Sequence, residues 1–128
     1  MKKNILMVDD DVDFLDLHKE ILEKAGFSVR VAHDGAEGMK ALKTGKPDLL
    51  ILDVMMTTPS EGFDFADKLQ EIPEFKEIPV IMLTGMSQTP HFPENFQRIL
   101  GRTWTAAAYL EKPIESAKLV AEVKRILA

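Results

Sequence analysis

The sequence predicts a single α/β domain in which helices cover both faces of a parallel sheet, as three α/β/α layers. Short apolar runs alternate with amphipathic stretches, and this βαβαβαβαβ order is typical of a parallel sheet with right-handed crossovers. The runs at 49–52 and 80–83 are apolar without interruption, as expected for strands that are covered on both faces. Polar side chains follow four of the runs, at the sheet edge where ligands bind in such folds.

The first strand is predicted near 4–9, where an apolar run follows the N-terminal lysines. The first helix is predicted at 12–25 and is followed by Gly26, a residue type that commonly ends helices. The residues of this helix that are expected to face the core recur at helical spacing: Phe14, Leu17, His18, Ile21 and Ala25.

A second strand near 27–32 leads into a helix at 35–44. Asp34 stands at the N-cap position, where a side-chain oxygen can accept hydrogen bonds from the free backbone N–H groups of the first turn. Glu37 follows three residues later and can reach back toward the chain before the helix, which is the arrangement of a capping box.

The same alternation continues in the second half of the chain. Apolar runs predict strands near 48–53, 79–84 and 107–111. Amphipathic stretches predict helices near 62–71 and 115–127, with a further short helix near 93–101. The buried stripe that is expected for the last helix consists of Leu119, Val120, Val123, Ile126 and Leu127.

At 128 residues, the chain is expected to form one domain over 1–128. Its net charge of −5 disfavours a nucleic-acid surface, because phosphate binding requires clustered basic residues. The absence of cysteine excludes disulfides and thiolate metal ligands. The first apolar run has about four residues, whereas a signal-peptide core needs roughly 7–15 and a membrane span about 20. We therefore expect a cytoplasmic protein that binds neither nucleic acid nor membranes.

Five polar residues are predicted to meet at the carboxyl edge of the sheet: Asp9, Asp10, Asp53, Thr84 and Lys112. Carboxylates this close repel each other, and a hard divalent cation with oxygen ligands commonly relieves that repulsion. Mg²⁺ suits a shallow site with few protein ligands, because it keeps several waters and accepts substrate oxygens. The additional hydroxyl and ammonium groups indicate a metal-assisted phosphoryl site.

Each of these residues also has a purely structural explanation. The aspartates at 9–11 can cap the following helix, Thr84 can cap a turn, and Lys112 can be a turn residue. Asp53 is harder to explain in this way, because a carboxylate directly after Leu-Leu-Ile-Leu is unfavourable at a buried strand end unless it has a partner. One shared site explains all four strand ends together.

The motifs that carry these residues resemble those of the response-regulator receiver domain of two-component signalling, and the resemblance extends over the whole chain. The motifs are ILMVDD at 5–10, LDVMM at 52–56, LTG at 83–85 and YLEKP at 109–113. The resemblance implies a flavodoxin-like, doubly wound sheet of five parallel strands in the order 2-1-3-4-5, which is the order of that family.

The resemblance also implies a metal site. Asp10 and Asp53 are expected to bind Mg²⁺, or Mn²⁺ in its place, through their side chains. The backbone carbonyl of Met55 is expected to be a further ligand. Asp9 is expected to hold the ion less directly, through water.

By the same resemblance, Asp53 accepts a phosphoryl group from a histidine kinase or a phosphotransfer protein. Lys112 pairs with that group, Thr84 moves to donate to it, and Tyr109 turns inward as Thr84 shifts. These roles imply a switch that catalyses its own phosphorylation and a slow dephosphorylation, and that acts on an unknown downstream protein. They do not imply an enzyme that turns over an external substrate.

Two other functions remain open on the sequence alone. The D-x-D spacing of Asp9 and Asp11 after a strand also suits a phosphatase or phosphotransferase of the haloacid-dehalogenase type, with Asp9 as nucleophile and Asp11 as acid and base. That interpretation leaves Asp53 unexplained. The other alternative is a pseudo-receiver that binds partners without being phosphorylated, and the intact set of Asp10, Asp53 and Lys112 disfavours it.

Two surfaces are hypothesised for partner proteins. Leu15 stands at the edge of the first helix's apolar stripe, next to the acids, where it could dock the kinase's helical phosphotransfer domain; packing against the last helix is the alternative. The segment 86–106 is longer than is usual in the family and contains Phe92 and Trp104. We expect it to form an aromatic output surface whose exposure depends on phosphorylation of Asp53; the alternative is that Phe96 and Trp104 cover the sheet edge in both states.

Overall fold

The computed structural model describes residues 2–53, 65, 68–69, 71–84, 107–112 and 114–128, with the backbone alone at Thr84, Tyr109 and Glu111. The strands are β1 (Asn4–Val8), β2 (Ser28–Ala32), β3 (Leu49–Asp53), β4 (Val80–Thr84) and β5 (Ala108–Glu111). The helices with complete bounds are α1 (Val12–Lys24), α2 (Gly35–Thr44) and α3 (Ser116–Leu127). Each of these elements lies within one residue of the bounds predicted from the sequence.

The strands of the described residues form one parallel sheet in the order β2-β1-β3-β4-β5. Parallel neighbours need a connection that crosses a face of the sheet, and α1 and α2 are such connections. Val8 pairs with Leu52, and Asp53 pairs with Leu83, so the carboxyl ends of the three central strands lie side by side. The predicted doubly wound α/β fold is confirmed.

Helices cover both faces of the sheet, so alternate residues of a strand enter different cores. On one face the strand residues pack with Leu42 of α2, and the buried set is Leu6, Val8, Ala32, Leu42, Leu50, Leu52, Phe65, Leu69, Phe75, Ile78, Val80 and Met82. On the other they pack with α1 and α3, and the set is Ile5, Met7, Leu15, Leu22, Val29, Leu49, Ile51, Ile81, Leu83, Leu110, Leu119 and Val123. This two-sided burial is why β3 and β4 are apolar without interruption.

The buried side of α1 is centred on His18, and Leu15 and Leu22 are fully buried beside it. The prediction that Leu17 faces the core is wrong, since its side chain is 53% exposed. Successive residues of a helix are rotated by about 100°, so Leu17 lies about 100° around the axis from His18 and outside the buried stripe.

The first turn of α2 has the predicted cap by Asp34, whereas Glu37 bonds one residue earlier than a capping box requires. The Asp34 side chain accepts a hydrogen bond from the backbone N–H of Glu37 at 2.8 Å. The Glu37 carboxylate reaches back and accepts from the backbone N–H of His33 at 3.2 Å, one residue before the N-cap. These bonds satisfy N–H groups that have no partner within the helix, and they fix where α2 begins after β2.

Part of the remaining predicted helical sequence lies outside the described residues. Of the predicted helix 62–71, the structure describes Phe65, Lys68, Leu69 and Glu71, and all four are helical. The predicted helix 93–101 falls entirely outside the description. None of the described helices combines the length and the apolar character that crossing a membrane requires.

Gly38 allows α2 to pack closely against the sheet. A Cβ atom at this position would lie 2.9 Å from Cε2 of Phe65 and 3.1 Å from Cγ2 of Val8, and both of those side chains are buried. We predict that Gly38→Ala lowers the free energy of unfolding by about 1–2 kcal/mol, because overpacking outweighs alanine's better helix propensity. Denaturant unfolding measures the change.

Gly45→Ala is the matched control for Gly38→Ala. Gly45 has an extended backbone, and its nearest neighbour for a Cβ atom is an Arg30 guanidinium nitrogen at 3.9 Å, an ordinary contact distance. Its effect should stay within about 0.5 kcal/mol. Equal effects of the two substitutions would contradict the close-packing role of Gly38.

Candidate functional site

The carboxyl ends of β1 and β3 bring two aspartates together. Asp53 is the last residue of β3, and Asp9 follows β1, with its backbone N–H bonded to the carbonyl of Ala32 in β2 at 3.0 Å. Because Val8 and Leu52 are register partners, the two residues that follow them are neighbours across the sheet. Asp9 and Asp53 are only 1% and 3% exposed.

Asp10 completes a group of three carboxylates, here named the acidic cluster: Asp9, Asp10 and Asp53. One carboxylate oxygen from each lies within 4.8 Å of those from the other two. Asp10 is exposed, so the acidic cluster is open on that side. An all-oxygen donor set of this size, partly buried and partly open, fits a hard divalent cation that keeps some of its waters.

Lys112, the residue after the outermost strand β5, brings a cation to the acidic cluster. Its Nζ donates to Oδ2 of Asp9 at 2.7 Å and to Oδ2 of Asp53 at 3.4 Å. The Lys112 side chain is only 23% exposed, so these contacts are partly shielded from solvent. The sequence predicted that Lys112 serves Asp53, but in the structure its shorter bond is to Asp9.

The surroundings of Lys112 act on its pKa in opposite directions. Burial alone would lower the pKa of this ammonium, but the hydrogen bond to Asp9 and the negative charges of Asp53 and Asp9 outweigh burial, so the pKa of Lys112 is raised above 10.5. The ammonium is therefore held charged at neutral pH by the carboxylates that it neutralises.

The three consecutive aspartates after β1 have three different environments. Asp11 is the N-cap of α1, where its Oδ1 accepts from the backbone N–H of Phe14 at 3.1 Å. Asp9 faces inward, and its Oδ1 accepts from the backbone N–H of Asp11 at 2.9 Å. Asp10 is exposed between them. The capping explanation is therefore right for Asp11.

Two ring residues at this site were not predicted to take part in it. The Lys112 Nζ lies 4.4 Å from the centre of the Phe14 ring. The Phe14 ring stacks on that of His18, with ring centres 4.1 Å apart and planes inclined by 27°. The helical spacing of Phe14 and His18 predicts core packing for both. The available signal was the position of Phe14 three residues after the N-cap, which places it in the turn next to the acids.

Several predicted site residues are only partly described or lie outside the description. Thr84 ends β4 and pairs with Glu111, the residue before Lys112, so its backbone is at the expected edge. Tyr109 lies in β5 opposite Met82, with its backbone alone described. Met55, Phe92 and Trp104 lie outside the described residues.

The hypothesis that Leu15 docks a kinase must be corrected. Leu15 is fully buried and belongs to the core cluster that also contains Leu119 and Val123 of α3. Leu15 thus packs in the core on the side of the sheet that α3 also covers, which agrees with the alternative. The large apolar side chains that are exposed in the described part of the chain are Val12 and Leu17.

Residues 5–124 match the protein family described as "Response regulator receiver domain". The chain belongs to the response regulator receiver domain family. The match extends over β1 to α3 and includes the acidic cluster and Lys112. It gives no support to the haloacid-dehalogenase-type or pseudo-receiver alternatives.

Individual relatives agree with this assignment. The transcriptional regulatory protein CpxR of Klebsiella pneumoniae is 41% identical over 123 residues, which are 96% of this chain and 48% of the relative. The alkaline phosphatase synthesis transcriptional regulatory protein PhoP of Bacillus subtilis is 35% identical over 127 residues, 99% of this chain and 49% of the relative. The chain thus spans about half the length of these curated relatives.

The fold also matches solved structures. The chemotaxis response regulator CheY4 of Vibrio cholerae aligns with a TM-score of 0.82 at 27% identity, over 98% of this chain and 99% of that one. This similarity and the sheet order together identify the fold as flavodoxin-like, as predicted.

We predict that Lys112→Met lowers the free energy of unfolding by about 1–3 kcal/mol at neutral pH without metal, because two buried carboxylates lose their cation. The pKa of Lys112 is raised in the folded chain, so its contribution is complete below pH 10.5 and is lost as the pH rises through the folded pKa. The difference between wild type and variant should therefore be constant from neutral pH up to pH 10.5, where both carboxylates are ionised, and shrink above it. Denaturant unfolding at several pH values measures this difference.

Lys118→Met, which removes an exposed lysine of α3, is the control for the change in net charge. It should change stability little at any pH. A Lys112→Met variant as stable as Lys118→Met would contradict the described role of Lys112.

Proposed function

We propose that this domain is a phosphoryl-accepting switch in which Asp53 takes a phosphoryl group from a histidine kinase or a phosphotransfer protein. The observation that carries the proposal is the contact of the Lys112 ammonium with the buried Asp53 carboxylate, beside two further carboxylates. A buried nucleophile with a cation and metal-binding oxygens around it suits the transfer of a charged phosphoryl group.

In the proposed reaction, a carboxylate oxygen of Asp53 attacks the phosphorus atom of a phosphohistidine. The new O–P bond forms as the P–N bond breaks, and the leaving imidazole takes a proton from solvent. Asp53 acts as an ionised nucleophile, so no general base is required. Lys112 neutralises charge on the transferring phosphoryl oxygens, from its position 3.4 Å from Asp53.

The acidic cluster is proposed to hold Mg²⁺, with Mn²⁺ as a substitute. Asp10 is exposed and Asp53 is beside it, and these two are the proposed direct ligands. Both oxygens of Asp9 already accept from protein groups, Oδ1 from the Asp11 N–H and Oδ2 from Lys112, which favours a less direct role for Asp9. When bound, the ion supplies positive charge to the phosphoryl oxygens.

Phosphorylation would change the balance of charge around Lys112. An acyl phosphate on Asp53 adds roughly −1.5 to −2 charges, as phosphorylations of other residues do. Its oxygens would compete with Asp9 for the Lys112 ammonium, and Lys112 directly follows β5. A change of partner at Lys112 can therefore alter the surface around β4 and β5. A downstream protein that binds this surface would then bind the two states with different affinities.

The proposed partners of this domain are a histidine kinase or phosphotransfer protein and a downstream protein. Receiver domains of response regulators act with histidine kinases and downstream effectors, and the family assignment supports the same kinds of partner here. The expectation that this chain does not bind nucleic acid rests on its net charge and stays a prediction. Its curated relatives are named transcriptional regulatory proteins, and the chain spans about half of each.

We predict that wild type takes up one phosphoryl group when it is incubated with a small phosphodonor such as phosphoramidate and Mg²⁺, and that Asp53→Asn takes up none. The amide keeps the side-chain shape but removes the nucleophile. Intact-mass spectrometry reports the adduct, and fragmentation after reduction with borohydride locates it. Asp16→Asn, which changes an exposed acid of α1, should be labelled like wild type.

Three outcomes of this labelling experiment separate the candidate functions. One stable adduct on Asp53 supports the proposed switch. Sustained release of phosphate that needs Asp9 but not Asp53 would indicate the haloacid-dehalogenase-type alternative. A folded wild-type chain that acquires no adduct would contradict the proposed function and favour the pseudo-receiver.

We predict that Asp10→Asn weakens Mg²⁺ binding by at least about tenfold. Loss of a residue that only hydrogen-bonds to a metal ligand already weakens metal binding by about that factor, and loss of a ligand itself should weaken it at least as much. Mg²⁺ binds the folded state, so the increase in melting temperature on titration measures affinity. Asp13→Asn, an exposed acid in the first turn of α1, changes the net charge equally and serves as the control. Equal Mg²⁺ affinities of the two variants would refute the role of Asp10.

A further inference from the structure

We propose that Phe14 is a positioning residue that holds the Lys112 ammonium at the acidic cluster, and that His18 in turn holds the Phe14 ring. This inference rests on the function proposed above and concerns how the ammonium is placed for it. Each of these groups contacts the next, from the core to the site: His18, Phe14, Lys112 and the carboxylates of Asp9 and Asp53.

The Lys112 ammonium is in contact with carboxylates and with an aromatic ring. Carboxylate oxygens of Asp9 and Asp53 accept from Nζ at 2.7 and 3.4 Å, and the centre of the Phe14 ring lies 4.4 Å from the same atom. This distance is within the range of cation–π attraction, which is about 6 Å. A lysine side chain has four flexible torsions, so its ammonium can occupy many positions. Contact with the Phe14 ring restricts the Lys112 ammonium to few of them.

An aromatic face is suited to this task for an electrostatic reason. The π face attracts a cation but has no strong lone pair that takes up one of its N–H groups. The Phe14 ring can thus hold Nζ while its donors remain available to Asp9, Asp53 or a phosphoryl oxygen. A leucine would fill similar space without that attraction, and a carboxylate would compete for the donors.

His18 fixes the Phe14 ring from the side of the core. The two rings stack with their centres 4.1 Å apart, and the His18 Nδ1 bonds to the backbone carbonyl of Phe14 at 2.9 Å. Because a carbonyl oxygen only accepts, Nδ1 carries the proton. The His18 ring is therefore held at both its face and its edge.

The other nitrogen of His18 also lies in the core. His18 is 4% exposed, and its Nε2 is buried without a hydrogen-bond partner among the described residues. The role that we assign to His18 therefore rests on its ring, which stacks on the Phe14 ring and is held by the bond from Nδ1 to the Phe14 carbonyl.

The test compares rates of Asp53 phosphorylation by phosphoramidate with Mg²⁺ in the full chain. Phe14→Leu should lower the maximal rate about three- to tenfold, because a cation–π contact at a partly exposed site has about that effect. The affinity for Mg²⁺ should not change, since no carboxylate is altered. Phe14→Tyr, which keeps the ring face, should retain most of the rate. His18→Leu removes both the stacked ring and the bond to the Phe14 carbonyl, so it should lower the rate, and a folded His18→Leu variant with the wild-type rate would overturn the role of His18.

A double-mutant cycle separates positioning from general structure. In the Lys112→Met background there is no ammonium to position, so adding Phe14→Leu should cause no further loss of rate. Phe14→Met is measured in parallel, so that the comparison holds if the leucine variant does not fold. In wild type, the Lys112 Cε protons should also show a ring-current shift by NMR, and this shift should disappear in Phe14→Leu or Phe14→Met.

The outcomes distinguish this inference from the function on which it rests. A wild type that takes up no phosphoryl group overturns the proposed function itself, and with it the part of Phe14 in that reaction. A phosphorylated wild type with folded Phe14 variants of equal rate overturns only the positioning role. A loss of rate that is the same with and without Lys112 also overturns it, because Phe14 would then act without the ammonium.

Discussion

The neutralisation of two buried carboxylates by one ammonium is the interaction on which the rest of this structure depends. Asp9 and Asp53 are almost completely buried side by side, an arrangement that is unfavourable without a cation. That cation, Lys112, follows β5, two strands away from β3 in the sheet order. The site therefore exists only when β4 and β5 have added to the sheet, so it is a product of the complete fold and not of a local motif.

The same ammonium links the packing of the domain to its chemistry. Lys112 contacts the acids on one side and the Phe14 ring on the other, and Phe14 belongs to the helix whose Leu15, His18 and Leu22 pack into the core. A change in the charge on Asp53 would alter the forces on Lys112, and through it on α1 and β5. If Asp53 is phosphorylated as proposed, the groups that share this cation would respond together.

The sequence predicted the scaffold, and which charged residues meet at the carboxyl edge of the sheet, for physical reasons. Burial on both faces makes strands apolar throughout, so the polar residue that ends each strand is conspicuous, and this signal identified Asp53 and Lys112. Side-chain contacts were predicted less well. The preference of Lys112 for Asp9, and its contact with Phe14, depend on which way a flexible side chain turns, and strand order does not determine that. The error at Leu17 arose because an apolar residue near the margin of a stripe satisfies helical spacing whether or not it is buried.

The proposed function requires that Lys112 changes partner when Asp53 is modified. The most direct test is a crystal structure of the chain with Mg²⁺ and beryllofluoride, an unreactive mimic of a phosphoryl group. We expect beryllium bonded to a carboxylate oxygen of Asp53, and Nζ of Lys112 moved from Oδ2 of Asp9 to a fluorine atom. An adduct on Asp53 with the 2.7 Å bond from Lys112 to Asp9 unchanged, or an adduct bound elsewhere, would contradict it.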